Sequence, residues 1–278
     1  MRKQGMQSKA DKRDTQFLTM LKKNFEVSVM NETSVDFKKV ICSLNAPEKT
    51  KDNAPDYQFD NGYIEKFDLS ASKREKIGEK FQYTKYVTEH RMKKQIKKDE
   101  KNQIYKTNYY AGDYLPIESR ERASISCLHE NLFSLIEQKT KRSGRYITTS
   151  KSSQTKGLLV NLDYNIDVFK NQDNEYVNKM VSDTNQLVKE EYQLWKDLTI
   201  IKGIQKEYSH IWDVFFFVRK QGRVFLIEDE WVQEEKYQVY AFDLREPLQE
   251  DKLIKYPNPI LHTQEDYVRV TIWGNRRN

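Results

Sequence analysis

Cysteine is scarce in this sequence. Two cysteines in 278 residues, Cys42 and Cys127, supply neither a disulfide framework nor a zinc cage. The simplest setting for such a chain is a reducing cytoplasm. Histidine is scarce too. His90, His129, His210 and His262 stand alone, and no two have metal-ligand spacing, which argues against zinc-dependent or HNH-type chemistry. No nucleophile elbow accompanies them, so a Ser-His-Asp hydrolase is also disfavoured. A Gly-rich phosphate loop is missing, which speaks against nucleotide-dependent chemistry. With 9 glycines and 6 prolines no long flexible linker is expected. No apolar run has the length of a membrane span; the longest, around residues 214–218, is strand-sized. The first residues are charged and carry no apolar core of a secretion signal.

Aromatic and charged residues are abundant instead. There are 17 Tyr and 13 Phe, 37% hydrophobic and 32% charged residues, and a net charge of +6. The length suits one large core or two modest domains. The modest positive charge admits a polyanionic partner without requiring one.

The chain is organised around residues 54–75. Two short apolar and aromatic runs flank Asp60-Asn61-Gly62, which predicts a β-hairpin with Gly62 as a left-handed loop residue. A three-residue loop sets Phe59 opposite Tyr63, Tyr57 opposite Glu65 and Asp56 opposite Lys66. Strand alternation then puts Tyr57, Phe59, Tyr63, Glu65, Phe67 and Leu69 on one face, where Glu65 is the exception in an apolar set. The other face gathers Asp56, Gln58, Ile64, Lys66, Asp68 and Ser70. Two carboxylates on neighbouring strands can hold a hard cation, because magnesium takes only one or two protein carboxylates and keeps its other sites for water and phosphate oxygens.

Pro55-Asp56 followed by Asp68-Leu69-Ser70 resembles the PD-(D/E)XK signature of restriction-endonuclease-like nucleases. Pro55, Asp56 and Asp68 match, and Ser70 stands where that signature has lysine. The resemblance implies Mg²⁺ or Mn²⁺ held by Asp56 and Asp68, with DNA as substrate. It also implies one further acid from a preceding helix, for which Glu26 is the candidate. A basic group near the attacked phosphate is then needed from elsewhere. Lys139 is the first candidate and Lys66 the second, with Gln138 beside Lys139 toward the nucleic acid. A homodimer is compatible with this reading, as is an origin in a restriction system, a phage or a mobile element.

The remaining chain predicts a mixed central sheet flanked by helices on both faces, an α/β fold. Residues 1–13 read as a disordered lead-in, 14–245 as one restriction-endonuclease-like domain, and 246–278 as an extension packed on it. A helix is expected from Asp14 through Phe25, a strand over 35–44, and a helix over 123–142. In the last of these Ile125, Leu128, Leu132, Leu135, Ile136 and Lys139 form one stripe. A buried strand is expected at 157–162, a long helix over 174–198, a hairpin turning at Lys220-Gln221-Gly222, and strands over 237–242 and 267–273. Residues 71–110 carry twelve basic and five acidic residues, with Lys93, Lys94, Lys97 and Lys98 as candidate phosphate contacts. Two other functions stay open: a non-catalytic nucleic-acid-binding protein on the same fold, and a structural or interaction protein of a mobile element.

Overall fold

A computed structural model describes residues 9–46, 55–71, 113–116, 124–143, 154–164, 166–178, 187–227, 230–263 and 267–270. Its centre is a six-stranded mixed sheet. The strands are β1 (Phe25–Val29), β2 (Tyr57–Phe59), β3 (Gly62–Leu69), β5 (Thr155–Leu162), β8 (Val214–Ile227) and β9 (Glu230–Asp243), in the order β1-β9-β8-β5-β3-β2. Strands β3, β5 and β8 run parallel to one another. β2 and β9 close onto them antiparallel, and β1 runs parallel to β9. Two small ribbons pair β4 (Asp113–Pro116) with β10 (Tyr267–Val270), and β6 (Asp167–Lys170) with β7 (Val188–Glu191).

Four helices are found among the described residues: α1 (Lys9–Lys23), α2 (Phe37–Ser43), α3 (Ile125–Ser143) and α4 (Leu198–Tyr208). They cover both faces. On one, Leu128, Leu132 and Ile136 of α3 and Ile200, Ile201 and Ile204 of α4 bury Tyr63, Phe67, Leu158, Val160, Phe215 and Phe217. On the other, Leu18 and Leu21 of α1 and Phe37 and Ile41 of α2 bury Ile64, Leu159, Phe216 and Val218. Alternation sends successive residues of β5 and β8 into opposite cores. That is why the run at 214–218 is apolar without interruption. Leu248, Leu253, Tyr256 and Ile260 beyond the sheet join the α3–α4 core.

Several expectations are corrected. Residues 37–43 form a helix, not a strand, because the Asp36 carboxylate accepts the Lys39 N–H at 2.9 Å and caps it. Phe37 and Ile41 then fall one turn apart on the buried side. The long helix over 174–198 is absent from the described part of that span. Residues 188–191 are strand, Leu194–Lys196 is a 3-10 turn, and Asp197 starts α4 by accepting the N–H groups of Thr199 and Ile200. Of the apolar side chains read as a helical stripe there, Tyr192 is buried in the α3–α4 core from irregular backbone, and Leu194 and Trp195 from the 3-10 turn. Gly222 does not turn the chain; it pairs with Glu235 inside the long β8–β9 ladder. Helix α1 begins at Lys9, ahead of the expected start.

The hairpin forms, with a different register. Phe59 pairs with Gly62, Gln58 with Tyr63 and Tyr57 with Ile64, so the loop is the two residues Asp60-Asn61. A one-residue slip moves side chains to the other face, and Tyr57 joins Ile64 in the α1–α2 core. Gly62 has no positive φ. It is required by close approach: a Cβ there would lie 2.0 Å from the Thr155 carbonyl oxygen and 2.6 Å from the Phe59 ring. Gly62→Ala is therefore expected to destabilise the fold by about 2–3 kcal/mol, read as a lowered urea midpoint. An unchanged midpoint would show that β5 can back away at no cost.

Candidate active site

Glu65 lies in β3 between Tyr63 and Phe67, on the face covered by α3. It is 1% exposed. Continuing the hairpin register by one residue puts Asp56 opposite Glu65. Asp56 is fixed by its Oδ2, which accepts the Lys66 backbone N–H at 2.9 Å. Helix α3 lies across this hairpin. Near its start Asn131 donates its side-chain N–H to the Ser70 carbonyl at 3.0 Å. Near its end Trp212 donates its indole N–H to Thr140 Oγ1 at 2.9 Å. Trp212 is fully buried and meets Tyr63 edge to face at 6.2 Å. Between these two anchors Lys139 reaches inward. Its Nζ is 2.5 Å from Asp56 Oδ2 and 2.8 Å from Glu65 Oε2.

The site is an acid–lysine–acid triad, with 15%, 12% and 2% of the Asp56, Lys139 and Glu65 side chains exposed. Burial, with the Asp56 charge, raises the Glu65 carboxyl from 4.5 to about 7 against the pull of Lys139. Burial lowers the Lys139 ammonium, but the two carboxylates outweigh it and hold the group above its ordinary value. Glu65 Oε1 is buried with no hydrogen-bond partner among the described residues. A buried bare carboxylate oxygen is costly. Two carboxylates, one with a spare oxygen, are the kind of ligands a hard divalent cation takes, so the two acids fit Mg²⁺ or Mn²⁺ with the Lys139 ammonium displaced from them. Among the described residues no larger cluster of His, Cys, Asp and Glu is assembled.

The expected pairing of Asp56 with Asp68 is corrected. Asp68 projects to the α1 face, where its carboxylate lies 3.2 Å from Lys66 Nζ and accepts from Asn161 Nδ2 at 2.7 Å. It is 57% exposed. Lys66 Nζ also meets Asp14 at 3.3 Å, so it too belongs to that face. The reason is parity: residues 65 and 68 are an odd number apart along one strand. Ser70 sits five residues from Glu65, about 17 Å along β3, and is not part of the triad. Glu26 is corrected as well. It lies in β1 at the far side of the sheet, roughly 19 Å from β3 by strand spacing. Its side chain is 61% exposed and ion-paired with Lys236. Gln138 is exposed on α3 beside Lys139. Lys93, Lys94, Lys97 and Lys98 lie outside the described residues.

No family model, curated protein or solved structure matches this chain. The site must therefore be judged by its own chemistry. Glu65 is the residue that sequence reasoning placed in the core and did not enlist. The available signal was an ionisable side chain alternating with Tyr63, Phe67 and Leu69.

A second titratable cluster joins His129, Tyr192 and Asp197. The Tyr192 hydroxyl is 2.7 Å from His129 Nε2 and donates to Asp197 Oδ2 at 2.5 Å. The other Asp197 oxygen caps α4. Both carboxylate oxygens are thus engaged in fastening together α3, the residue that follows β7, and α4. No helix among the described residues is long and apolar enough to cross a membrane.

Proposed function

We propose that this chain is a divalent-cation-dependent nuclease hydrolysing phosphodiester bonds in DNA. Asp56 and Glu65 are the cation ligands, and Lys139 is the positive group at the scissile phosphate. The observation that carries the reading is the convergence of these three side chains, with Glu65 Oε1 taking no partner among the described residues. Perturbed carboxylates of this kind gather at functional sites.

The constituents correspond to the PD-(D/E)XK signature with altered spacing. Pro55-Asp56 supplies the first acid and Glu65 the second, on the adjacent strand. The usual lysine position, two residues after the second acid, is the core residue Phe67, and α3 brings Lys139 in its place. The succession of α1, the β2–β3 hairpin, α3 and the parallel strand β5 suits a restriction-endonuclease-like core. The free thiols Cys42 and Cys127 suit a reducing cytoplasm.

A bound Mg²⁺ or Mn²⁺ would supply an acidified water and neutralise charge on the phosphoryl oxygens. Asp56, just before β2, and Glu65 in β3 would hold that cation. Lys139 offers an ammonium where negative charge grows on the phosphorane, a contribution made in the transition state. The basic stretch at 71–110 follows β3 directly in sequence and offers sequence-independent contacts to the backbone.

Supercoiled plasmid incubated with Mn²⁺ is expected to be nicked or linearised by the wild-type chain. EDTA should stop the reaction, and Asp56→Asn should not cleave. Salt-sensitive DNA retention without cleavage under any divalent cation would favour the non-catalytic binder. Neither cleavage nor retention would favour the interaction protein.

A further inference from the structure

We propose, resting on the cation-site reading above, that Lys139 is an internal stand-in for the divalent ion: its ammonium holds the two carboxylates in the resting protein and must leave for the ion to load. Nζ contacts one oxygen of each acid, Asp56 Oδ2 at 2.5 Å and Glu65 Oε2 at 2.8 Å. A second positive centre on the same two oxygens would sit against the ammonium, and like charges at that range oppose one another. Occupancy by lysine and by the divalent ion is therefore competitive.

Glu65 Oε1 is buried and the lysine does not use it, so a cation reaches it only once the clamp opens and then finds it uncommitted among the described residues. The way out is the lysine stem. Lys139 lies in the penultimate turn of α3 and keeps part of its side chain at the surface, and its four-carbon chain can extend toward water. Released there, the ammonium needs a new anion. A backbone phosphate of the nucleic acid is one, so substrate favours the open clamp and helps cation loading. The same lysine thus balances the two acids at rest and addresses the phosphate when the site is loaded. The resting protein has no bare pair of buried like charges, which explains how both acids are tolerated in a site this dry.

Mn²⁺ binding to the full chain, followed by electron paramagnetic resonance, tests the clamp without reference to activity. Lys139→Met is expected to bind Mn²⁺ at least tenfold tighter than wild type. Equal or weaker binding overturns the proposal. A second measurement uses the wild-type protein alone. Reductive methylation of Lys139, read by mass spectrometry, should be several times faster with saturating Mg²⁺ than in EDTA. A lysine equally protected in both conditions overturns the clamp. If both proteins bind Mn²⁺ alike, the clamp fails and the cation site stands. If neither binds Mn²⁺, both fail.

Discussion

Glu65→Gln is expected to abolish cation-dependent cleavage and, in the same protein, to raise stability above neutral pH. The amide keeps the size of the side chain and can still accept from Lys139, so the core between β3 and α3 is preserved. What it loses is the charge that holds a cation. Turnover should fall by roughly a hundredfold or more, the scale of removing one electrostatic contributor from an active site. Stability should move the other way. The Glu65 carboxyl titrates at about 7 in the fold against 4.5 for the ordinary group, chiefly because it is buried. Below the ordinary value it is neutral in both folded and unfolded chains and affects neither. As pH rises through the folded value, the unfolded chain has already released its proton, and stability is lost across that window. Glutamine carries no such penalty. In EDTA the variant should match wild type near pH 4 and exceed it at pH 8 by on the order of 3 kcal/mol. Urea unfolding at the two pH values reads this directly. A variant that is weaker at both would make Glu65 a structural partner of Lys139 and sink the functional assignment.

Lys139→Ala has the second large effect, and it goes against both stability and rate. Removing the ammonium leaves Asp56 and Glu65 with no counter-charge and pushes the Glu65 carboxyl further up, so that it must bind a proton to stay buried. Breaking a buried ion pair in this way costs about 3–5 kcal/mol. The loss should be largest in EDTA and partly restored by Mn²⁺, because the ion replaces the missing positive charge. Turnover should remain low even when Mn²⁺ has restored the fold, by roughly a hundredfold, since nothing then stands at the phosphate. Thermal melts with and without Mn²⁺, run beside single-turnover cleavage, separate the two losses. Wild-type cleavage in a stably folded variant would show that Lys139 is only a tether.

The contrast between these variants bears on how the site is built. Both acids are held by secondary structure, Glu65 by alternation in β3 and Asp56 by the Lys66 N–H. The lysine is held by the docking of a helix, through Asn131 at one end and Thr140 with Trp212 at the other. A perturbation of α3 therefore moves the Lys139 ammonium relative to the two acids, which stay on the sheet.

The sequence by itself determined the elements whose signal is local. Helix α3 was legible with its inward stripe ending at Lys139, because a 3.6-residue period needs only some apolar surface to meet. Strands β5 and β8 were legible from apolar runs, and the β2–β3 hairpin from Asp60-Asn61-Gly62. Where two local codes overlap, the sequence misled. Phe37, Val40 and Ile41 suit a strand until Asp36 caps a helix, and the apolar spacing from Tyr192 to Trp195 belongs to irregular chain ahead of the Asp197 cap. Tertiary structure alone decided which acids meet. The approach of β5 to Gly62 accompanies a two-residue loop, and that single residue of register carries Asp56 from opposite Lys66 to beside Glu65. The docking of α3 on the odd-numbered face of β3 then selects Glu65 over Asp68. Register and docking face are set by contacts between residues far apart in the chain, so no local pattern records them.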